Sequence, residues 1–513
     1  MRRPGRTRGK ERTAIGGVLV LALGLLAAAT LRPDPAGAIP PESEVWSQYR
    51  APHFVIFSNA GEERARRVAE DLEGLRRALG QVTRLEMASP LPTHIFLFDD
   101  DTSLHPYKHR YRGEPASLTG AFYTGTHADY ITMNGQMAAQ ARVTIFHEYV
   151  HGVLRNNLPG LPLWLDEGLA EFFSTFQAKG GQARIGKPVP WHIGKLRADL
   201  LPLTEVLGAD VSSPFYNEFE HQGVFYAQSW SLVHYLLIGN PNRRRQATDY
   251  LNRTLRGEDP SAAFGRAFGV EPAVLEKELA NYVAAGLRHR RVPLANDRRV
   301  ELEIATLSRA DLLYHLGDLL AHQGGRRDDA AFHFQQALDL DPGHGLSLMG
   351  LGVLAWGEGE HARGRAYFSR AVEAGGGHYL PHYHYGSSLL AWGRATGRGA
   401  LDKARRHLRE SVRLEPGFAP AWARLSYAYT LGAEVDGEAL EAGRRAHALL
   451  PTRPEVALQL LLLYSRTRQL DAARELVEAY FEPRGGEALQ AARQVLERMD
   501  WLAAGDSPTK PGG

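Results

Sequence analysis

The 513-residue chain contains no cysteine. That absence excludes disulfides, thiolate nucleophiles, cysteine-type zinc sites and iron–sulfur clusters, so any metal has to be held by histidines and carboxylates. An excess of one charge is also missing. The 60 basic and 58 acidic residues leave a net +2, and with seven basic against two acidic groups in the first 38 residues the rest of the chain stands at −3. Nothing in that balance marks a nucleic-acid partner. Long apolar runs are scarce, with one uncharged stretch near the start, which excludes a polytopic membrane protein. What remains is globular: 44% hydrophobic and 23% charged residues lie near the average of soluble domains, and at roughly 150 residues per domain the length fits about three.

Arg2, Arg3, Arg6, Arg8, Lys10 and Arg12 precede a mostly apolar stretch from Ala14 to Leu31, and Ala36-Gly37-Ala38 follows as a small-x-small site. Residues 1–38 thus have the layout of an export signal, or of an N-terminal membrane anchor if they stay uncleaved. Either way the positive flank stays inside and the body lies outside the cytoplasm. The expected location is exported, periplasmic or secreted, with attachment to the inner membrane as the alternative. With no cysteine to acylate, a lipoprotein is excluded.

Residues 45–287 read as one α+β domain with a small N-terminal sheet. Phe54-Val55-Ile56-Phe57 and Thr93 to Phe98 are short strands around an amphipathic helix from Glu62 to Leu79, and Gly120 to Tyr123 and Asp129 to Met133 are two more. Helices follow over Ala138 to Arg155, stopped by Asn156-Asn157 and Pro159-Gly160, and from about Pro162 to Ala178. The basic and aromatic stretch with His105, Lys108, His109 and 110–113 is expected to be a solvated loop. His192 and His221 have no helical partner four residues away and read as ordinary histidines.

The chemistry concentrates in Phe146-His147-Glu148-Tyr149-Val150-His151, an H-E-x-x-H segment. Residues four apart project from one helix face, so His147 and His151 can present two imidazoles to one ion, with Glu148 beside the open coordination position. Fifteen residues separate His151 from Glu167, which lies on the next helix within Leu163-Trp164-Leu165-Asp166-Glu167-Gly168-Leu169-Ala170-Glu171. A short connection makes the two helices antiparallel, so Glu167 can complete a His₂Glu set that leaves a fourth position for water. Glu171, one turn on, is placed to accept the far N–H of a ligand histidine. The apolar neighbours Trp164, Leu165, Leu169, Phe172 and Phe173 mark this helix as buried, where carboxylates need partners or a metal.

With these two motifs in order, the chain resembles the gluzincin metallopeptidases, in particular the peptidase-MA-like proteins, whose helix pair reads H-E-x-x-H and then P-x-W-L-x-E-G-x-A-E. The resemblance covers roughly residues 50–285. It implies a zincin-like fold and a zinc ion held by His147, His151 and Glu167, with Glu148 as the general base that takes the proton of the attacking water. It also implies a tyrosine on a downstream helix that hydrogen-bonds the oxyanion, for which Tyr226 is the candidate, with Tyr235 or His221 next in line. Aminopeptidase N-like relatives carry a glutamate on an upstream strand to grip a free amine; Gly120-Ala121-Phe122-Tyr123-Thr124 has none. An endopeptidase is therefore favoured.

Beyond residue 308 an internal period appears. Ala330, Gly364, Ala404, Ala439 and Ala473 recur at separations of 34, 40, 35 and 34, and Pro342, Pro416 and Pro451 close three units. Residues 308–486 resemble an array of about five tetratricopeptide repeats, which implies an all-α solenoid with a concave groove suited to a peptide or protein partner. His378, His382 and His384 in the third unit are expected on a helix surface. The arginine-rich segment 288–307 reads as a linker, and 503–513 as a disordered tail. The combined expectation is an exported zinc-dependent peptidase whose repeats recruit substrate or partner. The alternative is a catalytically inactive peptidase-fold adaptor acting through its repeats.

Overall fold

The computed structural model describes residues 39–503 apart from 86, 88, 112–113, 116–119, 137–138, 197–199, 215–218, 295–298, 376, 397 and 433–434. The export segment and residues 504–513 of the expected tail lie outside the described residues. No described helix is long and apolar enough to cross a membrane.

In chain order the strands are β1 (Ser47–Arg50), β2 (Phe54–Ser58), β3 (Thr93–Phe98), β4 (Arg110–Tyr111), β5 (Glu114–Pro115), β6 (Gly120–Thr124), β7 (Asp129–Asn134), β8 (Gln177–Lys179), β9 (Gln182–Ile185), β10 (Arg290–Pro293) and β11 (Glu303–Thr306). Six of them make the main sheet, ordered β11-β1-β2-β3-β7-β6. β2, β3 and β7 run parallel to one another. The remaining pairs are antiparallel, so β6 is an edge strand of opposite direction to its neighbour.

Alternate side chains of a strand face opposite sides of a sheet, and here both sides are buried. Phe54 and Ile56 of β2, with Ile95 and Leu97 of β3, pack on the helix Glu62–Thr83 and the H-E-x-x-H helix Ala139–Asn157. Val55, Phe57, Phe96, Phe98 and Tyr130 point the other way and share a core with Leu312, Leu316 and Leu319 of the first repeat helix. Phe57 stacks on His315 at 4.0 Å between ring centroids, and Tyr130 on His322 at 4.5 Å. Burial depresses His94 to about 3 and His315 to about 4, so these interface imidazoles are neutral.

Three expectations are corrected by this interface. Segment 288–307 is not a free linker: β10 pairs with β9 and β11 with β1, so it supplies strands to two sheets and the α+β fold runs past residue 287. The described part of the stretch after His105 is not a solvated loop, and 112–113 lie outside the described residues. Tyr107 is buried with its hydroxyl 3.1 Å from His333 Nε2, Lys108 pairs with Asp101 at 2.7 Å, and Arg326 donates to the carbonyls of Pro106 and Lys108. Nor do the third-unit histidines lie on an exposed helix surface. His384 meets His127 of the β6–β7 turn, and His382 Nδ1 is 3.2 Å from His407 Nδ1.

The described C-terminal part consists of five consecutive helical hairpins: Arg309–Ala321 with Arg327–Leu340, Gly345–Gly357 with His361–Ala374, Tyr379–Thr396 with Arg398–Leu414, Ala419–Thr430 with Gly437–Leu449, and Pro454–Arg466 with Leu470–Leu476 and Val477–Phe481. The recurring small residues Ala330, Gly364, Ala404, Ala439 and Ala473 all fall on the second helix of a pair and are buried. A last helix, Gly486–Ala503, covers the end of the stack, so residues 487–503 extend beyond the array's expected limit. The array also returns to the α+β fold, where Thr452 Oγ1 donates to the carbonyl of Asn156 at the end of the H-E-x-x-H helix, at 2.9 Å.

Because the repeats cover one face of the sheet, a chain cut after residue 290 is expected to aggregate rather than fold. Exposing five buried apolar side chains at about 1.5–3 kcal/mol each is comparable to the whole stability of a domain, about 5–15 kcal/mol. Soluble monomeric behaviour of residues 39–290 in gel filtration would show that the sheet does not need the array.

Candidate metal centre

Two helices and a tight turn build the centre. The H-E-x-x-H helix ends near Asn157, Gly160 turns the chain at a φ of 85°, and Pro162 precedes the helix Leu163–Ser174. Two glycines set how closely other elements approach. A Cβ on Gly152 would lie 2.9 Å from Phe122 Cζ of β6, so the edge strand lies directly on the H-E-x-x-H helix. A Cβ on Gly168 would lie 2.5 Å from the Ser229 carbonyl, so the helix bearing Glu167 seats against Phe219–His234, which carries Tyr226.

His147, His151 and Glu167 converge. Their Nε2, Nε2 and Oε2 atoms form a triangle with edges of 3.0 Å between the histidines, 3.4 Å from His147 to Glu167 and 3.3 Å from His151 to Glu167. Donors at about 2.0–2.1 Å from a tetrahedral zinc ion lie about 3.3–3.4 Å apart, so the set fits that ion. All three side chains are buried. Burial works against charging His147 and His151, yet the surrounding carboxylates outweigh it and raise both above the ordinary imidazole value. Burial would also raise Glu167, but its hydrogen bonds with the two imidazoles hold it down at about 2. The pocket therefore stabilises positive charge where the three donors meet.

Each histidine is steadied from behind. Glu171 Oε1 is 3.4 Å from His147 Nδ1, the outer partner expected of it. Asp166 Oδ1 is 3.1 Å from His151 Nδ1 and does the same for the second histidine. Glu171 is itself held by His192, whose Nε2 is 2.9 Å from Glu171 Oε2 and whose ring stacks on Trp230. His192 is thus no ordinary histidine but the third link of a relay behind His147. The sequence reading missed both Asp166 and His192. Asp166 was detectable as the residue before Glu167 on a buried helix, whereas His192 is brought in by the β8–β9 hairpin and no spacing announces it.

Glu148 lies next to His147 on the same helix and is half-buried; burial pushes its carboxyl up, with the two histidines offsetting part of that. Tyr226 is buried with its ring 6.3 Å from that of His147, edge to face. Tyr235 donates to Glu278 at 2.8 Å and is engaged elsewhere. The side chain of His221 lies outside the described residues. Glu171→Ala is expected to weaken zinc affinity about 10–100-fold without abolishing it, measured by competition with a chromogenic chelator. An empty centre in that variant would make Glu171 a ligand.

Comparison with known proteins bears on the repeats. The tetratricopeptide repeat family model matches residues 310–344. The chain thus carries a tetratricopeptide repeat at those residues. Among solved structures, a tetratricopeptide repeat protein with an unusual peptide-binding site, YrrB, is 16% identical, with 37% of this chain and 92% of its own covered and a TM-score of 0.31. A thermophilic tetratricopeptide repeat protein of Thermus thermophilus is 23% identical, with coverages of 37% and 97% and a TM-score of 0.26. PilF of Pseudomonas aeruginosa is 19% identical, with coverages of 39% and 93% and a TM-score of 0.30. No curated protein matches the chain.

Proposed function

We propose that the chain is an exported zinc-dependent metallopeptidase, an endopeptidase of gluzincin type, with a repeat array that binds a protein partner or positions substrate. The observation that carries this reading is the meeting of His147 Nε2, His151 Nε2 and Glu167 Oε2 within 3.4 Å of one another in a buried pocket. When bound there, zinc would supply an acidified water and polarise the scissile carbonyl. The chain's own residues do the rest. Glu148 accepts the water's proton and passes it to the leaving amine. The Tyr226 hydroxyl donates to the oxygen on which negative charge develops. β6, whose outer edge bears no strand among the described residues, aligns an extended peptide by backbone hydrogen bonds. Asp166, Glu171 and His192 keep the ligand imidazoles in one tautomer.

Tetratricopeptide repeats bind protein or peptide partners, and taken alone the comparisons fit the adaptor reading better, since they concern the repeats only. Part of the array is not open to such a partner, because the sheet and the β6–β7 turn already occupy the first helices of hairpins one and three. The peptidase reading rests on the centre.

Two experiments address it. Hydrolysis of unstructured peptides by the full chain is expected to vanish on chelation and return with zinc; a zinc-loaded chain that cleaves nothing would leave the adaptor. Tyr226→Phe is expected to keep its zinc and lose about 10²–10³ in kcat, since one oxyanion donor is removed. Unchanged turnover would make Tyr226 a core residue.

A further inference from the structure

We propose that His127, Asp318 and His322 hold a second divalent transition-metal ion, of the zinc type, between the sheet and the repeat array. One nitrogen of each imidazole and one oxygen of Asp318 lie within 4.8 Å of one another. They come from distant parts of the chain, His127 from the β6–β7 turn, and Asp318 and His322 four residues apart at the end of the first repeat helix. His127 is 1% and Asp318 3% exposed. His127 Nε2 is 3.2 Å from Asp318 Oδ2, and the Tyr130 hydroxyl donates to the same oxygen at 2.7 Å.

The other nitrogen of each ring is engaged behind the cluster. His322 Nδ1 is 2.8 Å from the Asp318 backbone carbonyl, to which its N–H donates, and His127 Nδ1 is 3.3 Å from Thr126 Oγ1. Metal-ligating histidines are held in one tautomer in this way, which for His322 leaves the lone pair on Nε2. A further donor stands beside them. His384, from hairpin three, has a buried Nε2 without a hydrogen-bond partner, and its ring meets that of His127 edge-on at 5.4 Å between centroids.

Charge favours a cation here as well. A carboxylate buried among imidazoles in an apolar interface leaves a negative charge away from water, which a divalent cation offsets. Nitrogen and oxygen donors without sulfur suit zinc and its first-row neighbours, and a centre with His127 and Asp318 buried and further protein donors at hand is structural rather than catalytic. Such an ion would tie the turn after β6, the strand lying on the H-E-x-x-H helix, to hairpins one and three.

The proposal does not depend on the peptidase reading. Full-length chain carrying His147→Ala and His151→Ala together has lost two of the three donors of the first centre. Loaded with zinc and freed of loose metal, it is expected to retain one ion per chain and to melt at a lower temperature once a strong chelator removes it. Loaded with cobalt, it is expected to show the visible d–d bands of a four-coordinate site. Adding Asp318→Asn, or separately the milder His322→Gln, is expected to weaken metal binding by more than about 100-fold and to remove the effect of chelator on melting. A folded double variant that holds no metal overturns the proposal, as does an ion retained when either further substitution is present. If wild-type chain holds one ion and the double variant keeps it, this site stands and the catalytic centre fails.

Discussion

Glu148→Gln is expected to bind zinc at wild-type stoichiometry and to hydrolyse peptides about 10²–10⁴ times more slowly. The donor atoms that meet in the pocket are those of His147, His151 and Glu167, and Glu148 contributes none of them. Its carboxyl stands beside them on the same helix, pushed up by burial with the two histidines offsetting part of that. Glutamine keeps the shape and removes the proton acceptor, so metal content and turnover should separate. A variant that loses zinc and activity together would place Glu148 among the ligands.

Glu167→Ala is expected to lose both. The substitution leaves two imidazoles without the buried oxygen that stands 3.3–3.4 Å from each, and three donors supply nearly all the affinity of such a site. Alanine is a strong helix former, so the helix Leu163–Ser174 and its contact through Gly168 should persist. Metal analysis after dialysis should find one zinc per chain fewer than in the wild type at equal free metal, with no measurable hydrolysis. Full occupancy in folded Glu167→Ala would remove the carboxylate from the ligand set.

The donor set was legible because helical spacing does most of the work. His147 and His151 share a face at i, i+4, and a short Pro/Gly turn brings Glu167 back antiparallel, so local rules suffice. Glu171 follows from the same helix. His192 does not, since a β-hairpin and a short helix carry it 21 residues to its partner, and only tertiary folding reveals the contact. The period of small residues likewise placed the repeats, because each lies where one helix of a hairpin seats against the next.

What the sequence reading missed was how the halves meet. Phe54 to Phe57 and Ile95 to Phe98 are apolar at consecutive positions, the pattern of strands buried on both faces. Read with that rule, they require a cover on each side of the sheet, and the helix Glu62–Thr83 supplies only one. The second cover is the repeat array, whose histidines had looked like surface residues because a helix wheel shows a polar face without saying what lies against it. β11 escaped notice for a related reason: Glu303–Thr306 is exposed and short, and its pairing with β1 is set by a partner more than 250 residues away.

Hydrolysis of peptide bonds at this centre is checked by incubating an unstructured peptide with full-length chain and with Glu148→Gln, both loaded to the same measured zinc content, and identifying new termini by mass spectrometry. Internal cleavage by the wild-type chain is expected, with at least a hundredfold less product from Glu148→Gln. Full zinc occupancy with no cleavage by either chain, or equal cleavage by both, would contradict it.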